Sequence, residues 1–137
     1  MTTVNVLVAV NVGQALNQIV NTGNANIGEY VYMADTTGYS GSGEGTDELT
    51  TTVTVGGTLI WQTVSIDPSQ TVTITGFSGQ AIPSVVNPVQ YPQYSGAVWG
   101  GSVNSTTQGS EQYTIGLLLN GGTHAWFDPF IVSNAPV

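Results

Sequence analysis

The sequence predicts an all-β fold: a two-sheet β-sandwich, jelly-roll-like or Ig-like, of about eight strands. Three observations carry that reading. Short runs alternate apolar and polar residues at period two, the pattern of a strand with one buried face. Glycine and proline clusters separate these runs at short, regular spacing. The 137 residues show no internal repeat and no change of composition, which reads as a single domain over residues 1–137.

The first run is the clearest. Val4, Val6, Val8, Val10 and Val12 alternate with Asn5, Leu7, Ala9 and Asn11, and Gly13 follows. Residues 14–20 either turn as a short helix or continue extended, with the helix the better fit; Asn and Gly make a loop up to Gly28. Glu29–Ala34 contains Tyr30, Val31, Tyr32 and Met33, a β-rich stretch. Four glycines between Gly38 and Glu48 predict a loop with unusual backbone angles. Leu49–Val55 and Thr58–Ile66 are strand-like and are split by Gly56-Gly57, which predicts a hairpin. Asp67-Pro68-Ser69 is turn chemistry, and Thr71–Phe77 alternates again. Residues 82–96, with Pro83, Pro88 and Pro92, read as a long crossing loop anchored by Tyr91 and Tyr94. Ala97–Val103 surrounds Trp99 as a further strand. Gln112–Asn120 and Thr123–Phe127 flank Gly121-Gly122 as a second hairpin; Asp128-Pro129 breaks the chain before Phe130–Ser133.

Composition excludes several functions. There is no Lys, no Arg and no Cys, against eight carboxylates and a net charge of −8. Nucleic-acid binding rests on cations that displace counterions from phosphates, so DNA and RNA are not expected partners. Anionic membranes are disfavoured for the same reason, and no apolar run approaches the ~18 residues of a membrane span. Disulfides and thiolate metal sites are absent. The N-terminus has no basic leader and reads as a strand, so the expected location is the cytoplasm.

Catalytic chemistry finds little to work with. His124 is the only histidine. Asp128 lies four residues on, about 13 Å along an extended strand, beyond hydrogen-bonding reach unless the chain bends. The plainer reading of His124 is a hairpin residue. Glu44, Asp47 and Glu48 form the only acidic cluster. A glycosidase needs such carboxylates held rigidly and calcium needs several converging oxygens, whereas a solvated, flexible loop needs neither. No cofactor, no metal ligand set and no enzymatic activity are therefore expected.

The late aromatics offer a binding alternative. A sugar needs an aromatic platform beside amide, imidazole or carboxylate groups, and Trp99 or Trp126 with Asn104, His124 or Asp128 would supply both. The plainer reading of each tryptophan is core packing.

Three stretches in order also resemble a known family. They are Val4-Asn5-Val6-Leu7-Val8-Ala9-Val10; Gly43–Leu49 continuing through Val55-Gly56-Gly57-Thr58-Leu59-Ile60-Trp61 to Ile66; and Gln112-Tyr113-Thr114 with the ending Trp126-Phe127-Asp128-Pro129-Phe130-Ile131-Val132. Tyr30-Val31-Tyr32-Met33 sits between the first two. This order is similar to the AidA/PixA inclusion-body proteins. The chain departs from their pattern at Asn11, Gly57, Ile60 and Phe127, and it is shorter between positions 67 and 110. The resemblance implies a bacterial cytoplasmic protein that accumulates in inclusions and has no enzymatic activity. It carries over structural positions only: Trp61, Trp126, Asp128 and Pro129. Two functions follow as expectations. The first is self-association as a homo-oligomer or higher assembly, helped by strand edges without lysine gatekeepers. The alternative is a lectin-like module whose partner is a glycan.

Overall fold

The computed structural model describes residues 2–38 and 41–136. Ten strands, one α-helix and two 3-10 turns make up their regular structure. Thr3–Val10 (β1) buries its four valines and turns Thr3, Asn5 and Leu7 to solvent, as period two requires. Val12–Thr22 (α1) follows directly. Asn11 caps it by accepting from the Gln14 N–H at 3.3 Å, and Gly23 ends it in the left-handed region at φ 74°. Val12 therefore belongs to the helix, because Asn11 diverts the backbone where the alternation alone would continue the strand.

Val31–Asp35 (β2), Thr50–Thr54 (β3), Thr58–Ser65 (β4) and Val72–Gly79 (β5) come next. Val89–Gln90 (β6), Val98–Ser102 (β7), Glu111–Leu119 (β8), Thr123–Phe127 (β9) and Phe130–Asn134 (β10) complete the set. The first sheet runs β2-β1-β4-β7-β6, and the second runs β3-β10-β8-β5 with β9 also on β8. The two-sheet all-β class is as the sequence predicts. Each sheet contains one parallel pair, β1 with β4 and β10 with β3, and the remaining pairs are antiparallel. The short β6 lies inside the segment expected to be a loop, pairing Val89 with Gly100.

One expected hairpin does not form. β3 and β4 flank Gly56-Gly57 but lie in different sheets. The Val55 N–H donates to Asn134 O in the second sheet, whereas Gly56 donates to Val103 O and Thr58 to Thr2 O beside the first. A glycine pair permits a sheet-to-sheet crossing as readily as a tight return. A Cβ at Gly57 would approach Thr2 O to 2.8 Å, so close backbone passage is what selects glycine there. The Gly121-Gly122 hairpin does form: β8 and β9 pair from Ile115–Phe127 to Leu119–Thr123.

The inward faces make one core. Val6, Val8, Leu59 and Trp61 of the first sheet face Ile115, Leu117 and Tyr113 of the second, all fully buried. Phe77 joins the layers, with ring centroids 4.6 Å from Trp61, 5.7 Å from Trp99 and 6.4 Å from Tyr113. The Trp61 indole N–H donates to the Tyr113 hydroxyl at 3.1 Å, whereas the buried Trp99 indole N–H in the same cluster has no hydrogen-bond partner. Among the described residues no helix is long and apolar enough to cross a membrane.

Candidate functional site

The five residues singled out from sequence for binding divide between the sheets. Trp99 is the register partner of Trp61 and so faces the space between the layers, against Phe77. Asn104 leaves β7, its N–H bonded to Val85 O at 2.7 Å. His124 and Trp126 stand two apart on β9, on the side away from the buried Ala125 and Phe127. Trp126 is 38% exposed. Its backbone is pinned on both sides, since Ile27 N donates to its carbonyl and its own N–H donates to Ala25 O, each at 3.0 Å. Segment 25–27 thus covers the free edge of β9. Trp99 turns into the core from the first sheet and Trp126 turns to solvent from the second, so a shared aromatic platform does not arise. His124 and Trp126 are brought together; Trp99 and Asn104 are not brought to them.

Asp128 sits at the kink between β9 and β10. Its carboxylate accepts from the Thr114 hydroxyl at 2.6 Å. Thr114 on β8, rather than His124, is its hydrogen-bond partner, so the pair needed to activate a nucleophile is not assembled.

The described residues of the acidic loop make hydrogen bonds to the loop itself and to β2. Gly45 N donates to Met33 O at 2.6 Å, Thr50 N to Ser42 O at 2.7 Å, and Thr46 N to Gly43 O at 2.9 Å. These bonds fold the loop onto the end of β2. There Glu44 accepts from the Asp35 N–H at 3.3 Å, and Asp35 in turn accepts from the hydroxyls of Thr37 and Thr51. Asp47 packs against Gly28, where a Cβ would overlap its carboxylate. Burial pushes the Asp47 carboxyl above the usual range; its own backbone N–H opposes this, and the charges of Glu48 and Asp128 add to it. Among the described residues no three His, Cys, Asp or Glu side chains gather as a metal-ligand set.

A cleft lies elsewhere, along α1. It encloses about 520 Å³ between Gln14, Asn17, Gln18, Asn21, Glu29 and Tyr30. Gln18 Nε2 donates to Asn24 O at 2.9 Å and Asn26 O at 2.7 Å, which ties the loop after the helix to its polar side. Sequence reasoning missed this cleft, yet a signal was present. Amides at 14, 17, 18 and 21 follow the helical period, opposite Val12, Ala15, Leu16 and Ile19, which pack inward. The cleft offers neutral donors and acceptors with one carboxylate and one phenol, groups able to hydrogen-bond hydroxyls.

The family model that matches the chain, over residues 2–125, is described as a domain of unknown function, DUF8788. No curated protein matches. Among solved structures, the chain is similar to the inclusion body protein PixA from Burkholderia cenocepacia J2315, with a TM-score of 0.69 at 16% identity. The match covers 98% of this chain and 95% of that one. At that identity the likeness shows a shared fold, and the AidA/PixA resemblance read from three stretches of sequence is borne out at that level.

Proposed function

We propose, from the premise that the chain belongs to the DUF8788 family, that it is a non-enzymatic protein that associates with itself into inclusion-type assemblies in the cytoplasm. The observation that carries this reading is the surface chemistry of the two sheets. Eight carboxylates and no Lys or Arg leave every strand edge without the cation that commonly blocks edge pairing. The charge that holds copies apart is modest and is screened over about 8 Å at physiological salt. The solved protein whose fold it shares is an inclusion body protein, which makes assembly the first function to test. No cofactor enters the reading, and nucleic acid and membranes are not partners in it. Sedimentation velocity of the purified protein across a wide concentration range at pH 7 tests it. The expected result is a weight-average mass that rises with concentration; a strict monomer throughout removes the reading.

One observation favours a second reading, a glycan-binding module. It is the amide-lined cleft on α1 with the Tyr30 ring at its side. A glycan array, run with and without calcium, is expected to give hits that Asn17→Ala abolishes if this reading holds. An array without hits removes it.

A further inference from the structure

The two sheets differ sharply in what their outer faces show to water. Eight large apolar side chains of the described residues are exposed, and six of them belong to one side of the first sheet or its flanking turns: Leu7, Tyr32, Val64, Ile66, Val89 and Tyr94. The second sheet contributes only Trp126. Strand register sets three of the six, Leu7, Tyr32 and Val64, on neighbouring rows. Tyr32, Ala9 and Val64 lie in one row across β2, β1 and β4, and Leu7, Gln62 and Val98 lie in the next row across β1, β4 and β7. Beside these rows Tyr91 and Tyr94 line a hollow of about 290 Å³ with Asn5, Ile60 and Gln62.

The strands of this face carry no outward charge; the exposed Asp67 stands at its margin, beside Ile66 in the turn after β4. Asp35 is the only carboxylate on the five strands. It is the register partner of the buried Val6, so it points to the opposite side, where Thr37 and Thr51 hold it. At about 3.3 Å per residue and 4.8 Å per strand, the five strands cover on the order of 450 Å² in projection. That is roughly half of the ~800 Å² a side of a standard interface, the scale of a weak, reversible contact.

We infer that the outer face of the first sheet is a two-fold contact with a second copy of this chain. The inference rests on the self-association reading and assigns its surface. Charge selects the occupant. A cationic partner finds no carboxylate on the strands of this face to pair with. A second copy, with a net charge of −8, meets the first here without setting carboxylate against carboxylate. A two-fold contact is closed and makes a dimer; further growth uses the strand edges.

Sedimentation velocity on the full chain at pH 7 tests the assignment with four variants. Leu7→Glu and Tyr94→Glu place a carboxylate on the face, at positions 40% and 52% exposed, and are expected to weaken association at least about tenfold. Leu7→Lys lowers the net negative charge yet is expected to weaken association as well, because its ammonium is left unpaired in the contact. Val20→Glu adds the same charge on α1, 82% exposed and off the face, and is expected to shift association less than about twofold. Cooperative thermal melting identifies folded variants, and Tyr94→Glu, on a 3-10 turn outside the sheet core, stands in should the Leu7 variants unfold. If wild type associates and the face variants behave like Val20→Glu, the face is overturned while self-association stands. If wild type is a monomer at every concentration, both are overturned.

Discussion

Single residues show where polar chemistry is held inside this fold. Tyr113 is the clearest case, fully buried with its hydroxyl accepting from Trp61. Tyr113→Phe leaves the indole N–H without a partner in a dry site, and is expected to cost about 1–3 kcal/mol in urea unfolding. Burial pushes the phenol well above its usual value of 10.0, while the Trp61 N–H pulls it down and the Asp35 charge adds to the rise. The unfolded chain therefore loses that proton first, so stability falls as pH rises above about 10. Asp47 has the same sign at the acid end. Its folded carboxyl is raised above 3.8, so the native state holds the proton more tightly than the unfolded chain, and stability falls as pH rises through that window. Asp47→Asn is expected to raise the urea midpoint at pH 7 and leave it unchanged at pH 3. An equal loss at both pH values would assign Asp47 a purely hydrogen-bonding role.

At the scale of elements, period two decides which substitutions matter. On β8, Leu117 is fully buried and Leu118 lies on the other face. Leu117→Ala is expected to cost about 2–5 kcal/mol and Leu118→Ala under about 1 kcal/mol in the same denaturation experiment. Similar costs would mean that the register is wrong. That periodicity is why β1, β8, β9 and β10 were legible from sequence, as was the Gly121-Gly122 hairpin. Gly56-Gly57 misled, because two glycines state only that the backbone is free and close to something. What chose a crossing there was the pairing of β4 with β1 and β7, and of β3 with β10, all far along the chain. The start of α1 was hidden for a related reason: Asn11 fits the strand alternation as well as a cap. The late aromatics were legible as a group but not as a site. Alternation places His124 with Trp126, yet nothing local shows that Trp99 belongs to the other layer and turns inward. The amide cleft was readable only once the helix was extended to both its ends.

The whole molecule is governed by a charge count that needs no structure: eight acids, one histidine and no Lys or Arg. Attraction between unlike charges contributes almost nothing to this surface. Stability rests on the shared core of the two sheets, and association is opposed only by like charge. Added salt at pH 7 is accordingly expected to strengthen association by screening the carboxylates. Lowering the pH removes the same repulsion by protonating them as the solution nears the isoelectric point of about 4.1. The most direct measurement is static light scattering of the folded protein, at fixed concentration, as pH is stepped from 7 to 4. The expected result is an apparent mass that climbs from small oligomers toward large assemblies and returns when the pH is restored. A mass that stays at that of one chain, 14.2 kDa, across the whole range would contradict it.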